Sequence, residues 1–211
     1  MKKGIIFDMD GTLWDSAAGV AESWNEAILA YGYERKPLTA GDIQSVMGKT
    51  MEDIADILFP ELKVMQRKEL LDLCCRLEND YLRRNGGVLY PDIRKTMEKL
   101  KVNYHLYIVS NCQAGYIEAF LDYYKFHDLI EDIECYGNND KPKGENIALL
   151  YQRNDLQDAV YVGDIQGDYD ASMSAGVRFI HAGYGFGKVN ADVPEIQKFS
   201  ELIEVIDTVW N

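Results

Sequence analysis

Residues 4–13 read GIIFDMDGTL, a short apolar run, Gly4–Phe7, that stops at two aspartates one residue apart. The run is β-rich and the Gly11-Thr12 pair after it suits a tight turn, so the stretch predicts a buried strand ending in a polar loop. Side-chain alternation places Asp8 and Asp10 on the same side of the chain, with Met9 opposite. Two like charges at one strand end repel, and burial makes each harder to ionise. The pair is therefore either an Asx-rich turn in water or a site where a cation compensates it. Taken alone, the stretch supports both readings equally.

Four further runs of the same kind follow at His105–Val109, Ile133–Tyr136, Ala159–Val162 and Val177–His181, each ending in polar residues or glycine. Helical patterns accompany them at Ile93–Lys101, Gly115–Tyr124, Asn146–Arg153 and Asp168–Ala175. Strands alternating with helices predict an α/β fold, a Rossmann-like, doubly wound parallel sheet with helices on both faces. Ligands of such sheets bind at the carboxyl ends of the strands, near a topological switch point. The interval from about Ser16 to Gly87 breaks the alternation, because it holds no convincing strand. Ser16–Tyr31, Thr39–Met47, Thr50–Leu58 and Leu62–Arg84 read as helices, with Ser16, Thr39 and Thr50 as candidate caps and Gly32 as a stop. The expected organisation is an α/β core of residues 1–15 and 87–211 with an all-α cap domain, 16–86, inserted into it. Gly86-Gly87 supplies the return to the sheet, and Phe199–Asn211 reads as a closing amphipathic helix.

Composition narrows the functions. A net charge of −13 and a pI near 4.6 argue against nucleic acid or an anionic membrane as a partner held by bulk electrostatics. An anionic substrate would need local positive charge or a metal ion. Cys74, Cys75, Cys112 and Cys135 form no CxxC pair, which argues against zinc and for reduced thiols in a cytoplasmic protein. The apolar run in MKKGIIFD is too short for a signal peptide, and no stretch approaches the length of a membrane span. Oligomeric state has no signature in the sequence.

Three more stretches carry chemistry. In Val162-Gly163-Asp164-Ile165-Gln166-Gly167-Asp168, a helix N-cap accounts for Asp168, whereas Asp164 has no comparable local role. A parallel sheet would set Asp164 beside Asp8 and Asp10. Carboxylates gathered in that way need a cation, and oxygen-only ligands without histidine select Mg²⁺ over zinc. Ser110-Asn111 reads by itself as a turn or cap, and beside such a cluster as hydroxyl and N–H donors for a phosphoryl oxygen. Lys141-Pro142-Lys143-Gly144 precedes a helix. Surface lysines are usually solvated, yet a lysine at a helix start in so acidic a chain suits the anchoring of an anion.

In this order, each at a strand end, these elements resemble the haloacid dehalogenase (HAD) superfamily of phosphohydrolases. Asp8-Met9-Asp10-Gly11-Thr12 matches its first motif, DxDG[TS]; Ser110 matches the second, the lysine cluster the third, and Gly163-Asp164 with Asp168 the fourth, GDxxxD. Gly48-Lys49 after a helix, Leu89-Tyr90-Pro91 before Ile93, and the helical insertion resemble the phosphoglycolate-phosphatase-like branch with an α-helical C1 cap.

The resemblance implies that Asp8 is the nucleophile that forms an aspartyl-phosphate, and that Asp10 is the acid and base. It implies Mg²⁺ held by the Asp8 carboxylate, the Asp10 backbone carbonyl and Asp164, with Asp168 a direct ligand or one step out. Thr12, Ser110, Asn111 and a lysine would hold the phosphoryl group. Lys141-Pro142 resembles the common KP form and Lys143-Gly144 a KG form; Lys141 is the assignment by a narrow margin, with Lys143 beside it in substrate binding. Trp14, Trp24, Gly48 and Lys49 are candidates to line the space under the cap, although a helical tryptophan such as Trp24 is more often core. Gly183–Gly187 resembles a structural glycine–aromatic loop of the branch.

The implied function is a Mg²⁺-dependent phosphatase acting on a small phosphorylated metabolite, phosphoglycolate-like or a sugar phosphate. A phosphomutase of the β-phosphoglucomutase type and a phosphate-binding module without turnover are the alternatives. Dehalogenation is disfavoured, because Asp10 supplies an acid/base that carbon–halogen displacement does not need.

Overall fold

The protein is represented by a computed structural model that describes residues 2–210. Met1 and Asn211, the outer ends of the expected core, lie outside the described residues. Strand β1 (Lys3–Phe7) carries Ile5, Ile6 and Phe7 with no exposed surface, as a strand covered on both faces requires. A turn at Gly11 leads into β2 (Trp14–Asp15), and then four helices follow: α1 (Ala17–Tyr31), α2 (Ala40–Gln44), α3 (Met51–Leu58) and α4 (Val64–Asn85). The chain returns through β3 (Val88–Leu89), antiparallel to β2, so the helical insertion leaves and re-enters by one two-stranded ribbon.

The remaining elements alternate. They are α5 (Ile93–Leu100), β4 (His105–Ser110), α6 (Tyr116–Tyr124), β5 (Asp132–Cys135), the single turn α7 (Tyr136–Asn139) and α8 (Lys143–Arg153). Then come β6 (Asp158–Gly163), α9 (Gln166–Ser174), β7 (Arg178–Ala182) and β8 (Glu195–Ile196). A 3₁₀ turn at Phe199–Glu201 leads into α10 (Leu202–Val209).

Six strands form one parallel sheet in the order β5-β4-β1-β6-β7-β8. From β1 the chain builds outward through β4 and β5 on one side, then crosses to β6, β7 and β8 on the other. The strand order therefore reverses at β1, and the crevice for a ligand lies at its carboxyl end, between the ends of β4 and β6. Alternation along the strands divides the core. Ile5, Phe7, Ile108 and Val162 face one apolar layer, whereas Ile6, Tyr107, Val109 and Tyr161 face the other, against Ile147 and Leu150 of α8.

In the insertion, Val20, Trp24, Ala27 and Ile28 of α1 recur at helical spacing and are buried together with Leu70, Leu71, Cys74 and Leu82 of α4. Each large apolar side chain buried in this way contributes roughly 1.5–3 kcal/mol. Thr39 and Thr50 cap their helices by accepting from the backbone N–H of Asp42 and Asp53.

Several boundaries differ from the sequence-based expectation. Helix α2 stops at Gln44 instead of Met47, and the chain turns through Gly48 at φ +84°. A Cβ at Gly48 would also run into the Ile165 side chain, so this position favours glycine on two counts. Helix α8 begins at Lys143, three residues before the expected Asn146, and α9 begins at Gln166, which makes Asp168 its third residue and not its cap. Ser16 occupies the cap position of α1, but its side chain does not bond the helix backbone. Strands β2, β3 and β8 are two residues each, too short to leave a periodic signal.

Candidate active site

The ends of β1 and β6 are bonded to each other beyond the strands proper, because the Asp8 backbone N–H donates to the Val162 carbonyl at 2.9 Å. This brings Asp8 and Asp164 to the switch point. Gly11, at φ +84°, lies so close to the Asp164 carboxylate that a Cβ there would overlap it. Asp168, in the first turn of α9, folds back over the loop, and its Oδ2 accepts from the N–H groups of Asp164 (3.0 Å) and Ile165 (3.3 Å). Lys143, the first residue of α8, reaches inward. Its Nζ donates to Asp8 Oδ1 at 2.8 Å and to Asp168 Oδ1 at 2.6 Å, with only 4% of its surface exposed.

The charges do not balance. Asp8, Asp164 and Asp168 bring three carboxylates and Lys143 one ammonium into a buried space. Burial, followed by the neighbouring Asp168, pushes Asp8 up to about 7 against the pull of Lys143. Burial, then Asp168 and Asp8, pushes Asp164 up to about 8. Oxygens of the three aspartates all lie within 4.8 Å of one another. Asp164 Oδ2 accepts from the Phe186 N–H at 2.7 Å, while its Oδ1 is buried without a hydrogen-bond partner. An orphaned carboxylate oxygen in an oxygen-only set with excess negative charge fits a hard divalent cation such as Mg²⁺. Both oxygens of Asp168 are already engaged, by Lys143 and by the loop backbone, which leaves Asp8 and Asp164 as the carboxylates that would face the metal.

Asp10 stands apart from this cluster. Its Oδ1 accepts from Ser16 Oγ (2.7 Å) and Tyr116 Oη (2.8 Å), and its Oδ2 lies 2.9 Å from the same phenol. Burial raises it to about 6, and the Ser16 and Tyr116 bonds oppose the rise. The two carboxylates of the opening stretch thus diverge, one toward the lysine and the other toward the insertion.

Of the two candidate lysines, the structure brings Lys143 and not Lys141 to the strand ends. Lys141 is exposed and meets its surroundings through its backbone, donating to Asn139 Oδ1 at 2.9 Å and accepting from Asn146 Nδ2 at 3.0 Å. The reason is the early start of α8 after Pro142, which aims the first helical residue, Lys143, back at the strand ends.

Ser110 is buried at the end of β4, and Thr12 is fully buried with its Oγ1 unpartnered. Asn111 Nδ2 donates to the Gly48 carbonyl at 2.9 Å, which joins the sheet to the insertion. A cavity between them is lined by Asp10, Ser110, Asn111, Gly48 and Lys49. Trp24 lines it as well, whereas Trp14 does not: its ring packs edge-on against Tyr116 and Phe120 at 5.5 and 5.1 Å in the core.

Comparison with known proteins agrees with this architecture. The haloacid dehalogenase-like hydrolase family matches residues 5–182. The chain belongs to that family. Phosphoglycolate phosphatases from Aquifex aeolicus (strain VF5) and Photorhabdus laumondii are each 26% identical to it, covering 96% and 97% of this chain and 96% and 92% of their own lengths. A solved hydrolase of the haloacid dehalogenase-like family from Streptococcus pneumoniae shares the fold at a TM-score of 0.78 and 22% identity, over 97% of this chain and 98% of its own.

Three residues at the site of this HAD-like hydrolase escaped the sequence reading. Tyr116 and Gln113, beyond the Ser110-Asn111 turn, belong to no short motif, and tertiary packing alone brings the Tyr116 phenol to Asp10. Glu78 did leave a trace. It lies four residues after Cys74 and four before Leu82 on the buried stripe of α4, a carboxyl where periodicity calls for an apolar side chain.

Proposed function

We propose that the chain is a Mg²⁺-dependent phosphatase that hydrolyses a small phosphorylated metabolite through an aspartyl-phosphate at Asp8. The observation that carries the reading is the Lys143-bonded Asp8 carboxylate beside the unpartnered Asp164 oxygen, at the switch point of the sheet. Asp8 and Asp164 would hold the metal with the Asp10 backbone carbonyl, and Asp168 would serve by fixing Lys143 and the loop. When bound, Mg²⁺ supplies positive charge against Asp8 and the phosphoryl oxygens.

Asp8 attacks phosphorus, the bond to the leaving oxygen breaks, and Asp10 delivers a proton to that oxygen. Asp10 then takes a proton from the water that attacks the aspartyl-phosphate, which regenerates Asp8 and releases phosphate. An acid raised to about 6 can hold the proton for the first step and, once ionised, accept it in the second. Lys143, Ser110 and Thr12 would hold the phosphoryl oxygens, since transfer of this kind depends mainly on positioning and on countering charge.

Residues 16–86 would act as a cap on a core of residues 1–15 and 87–211, with the β2–β3 ribbon as hinge and the Asn111–Gly48 bond as a latch. A cytoplasmic setting accords with four free cysteines. A screen of phosphorylated metabolites with Mg²⁺ tests the proposal. Phosphate release that disappears in Asp8→Asn is expected. Equal release from Asp8→Asn, or none from any substrate, would overturn it.

A further inference from the structure

We propose that the cavity under the helical insertion is a subsite for a short leaving group that ends in a hydrogen-bond donor, a hydroxyl or an ammonium, and that Glu78 reads that donor. The inference rests on the phosphatase reading above. Glu78 is 4% exposed and lines the same cavity as Asp10 and Ser110, which places its carboxyl on the side where the leaving group would sit. Trp24 Nε1 donates to its Oε2 at 2.6 Å, and the Gln113 amide also bonds it. Gln113 is itself fixed through Asn79 Oδ1 at 3.1 Å. The carboxyl is therefore held in place by donors, and in either protonation state its oxygens can accept more bonds than these provide.

A carboxyl on the apolar stripe of α4 is an expensive way to fill space, since an apolar residue would pack there without desolvating a polar group. Its presence there is explained if a ligand uses the remaining acceptor capacity. The charge of the cavity points the same way. Its lining holds two carboxyls, Asp10 and Glu78, and its one cation, Lys49, is exposed. A leaving group that ends in a carboxylate, as glycolate does, would put a third carboxyl among them with no buried cation. A hydroxyl or ammonium would instead find an oriented acceptor: the Glu78 carboxyl, which burial holds protonated up to about 8 before a ligand binds, can accept from a hydroxyl through its carbonyl oxygen and release its proton to pair with an ammonium. The cavity volume of about 50 Å³ suits a group of a few heavy atoms. The walls thus favour a substrate unlike that named in the curated relatives.

Three esters of matched length isolate the terminal group: 2-phosphoglycolate, 2-hydroxyethyl phosphate and O-phosphoethanolamine, with p-nitrophenyl phosphate reporting whether any phosphatase activity exists. The expected result is that one or both donor-ended esters exceed 2-phosphoglycolate in kcat/KM by about tenfold or more. Glu78→Gln should shrink that ratio by about tenfold, mainly through KM. Comparing the two donor-ended esters separates ammonium from hydroxyl. The inference is overturned if 2-phosphoglycolate is the best of the three for the unmodified protein, or if a folded Glu78→Gln leaves the ratios unchanged. Should Glu78→Gln not fold, the ratios of the unmodified protein decide alone. Hydrolysis of p-nitrophenyl phosphate with flat ratios defeats this inference only, whereas no hydrolysis of any ester defeats the phosphatase reading with it.

Discussion

At the strand ends, charged side chains from the residue after β1, the β6–α9 loop, α9 and α8 converge until Lys143 touches two aspartates at once. On the other side of the cavity, Glu78 stands on α4 with an indole and an amide for company. Both places bury carboxyls, but they are built differently. The first is supported by the sheet: parallel pairing fixes where each strand stops, and loop N–H groups together with one ammonium offset the crowding. The second hangs on an insertion joined to the sheet by a two-stranded ribbon and side-chain contacts such as Asn111–Gly48. Chemistry placed on the sheet can therefore stay fixed while the insertion changes what it admits.

The largest effect that would break this contrast concerns the two lysines. Lys143→Ala should leave two buried carboxylates without their cation, lowering turnover by about a hundredfold or more and stability by about 3–5 kcal/mol. Lys141→Ala, at an exposed position, should change stability by less than about 0.5 kcal/mol and keep most of the turnover. Parallel activity assays and urea melts on both variants check this, and matching losses would erase the distinction between them.

A smaller effect concerns the metal. Saturating Mg²⁺ should raise the stability of the unmodified protein by about 2–4 kcal/mol through binding to the folded state. Asp164→Asn should lose most of that gain, because it removes one charge and alters the oxygen that has no other partner. Thermal melts with and without Mg²⁺ read the difference without relying on turnover.

The smallest effect sits on the insertion. Burial raises the Glu78 carboxyl from 4.5 to about 8, so the folded state holds its proton more tightly than the unfolded chain. That contribution to stability is complete below 4.5 and is lost as pH rises through about 8. Asp10, Tyr116, Cys74 and Cys75 also face Glu78 electrostatically, so the comparison must be between variants and not between pH values alone. Across that window the stability of Glu78→Gln should rise relative to the unmodified protein. A gap that stays constant with pH would show that the carboxyl is not held in its protonated form.

The same contrast explains what could be read without coordinates. The parallel sheet and the meeting of Asp8 with Asp164 were legible because each rests on a local pattern, an apolar run and the polar residues that end it, whereas Asp10, expected beside them, turns to Ser16 and Tyr116 and Asp168 takes its place. The sequence favoured Lys141, whereas Lys143 is the lysine at the strand ends, because the choice turns on where α8 begins, and helix starts are set by cap geometry that spacing does not fix. Asp8 and Asp10 alternate onto one side of an ideal strand, yet the turn after Phe7 sends them to different partners. Trp14 and Trp24 look alike as sequence, and only packing sends one ring into the core and the other to the cavity. Glu78 was visible as an exception to periodicity, but its meaning depended on α1 bringing Trp24 against it.

The most direct measurement is acid quench of a reaction with a phosphoryl-labelled substrate and Mg²⁺, followed by peptide mapping. The account predicts transient label on the peptide containing Asp8, formed no later than free phosphate and absent from Asp8→Asn. Label on another residue, or phosphate release that persists in Asp8→Asn, would contradict it.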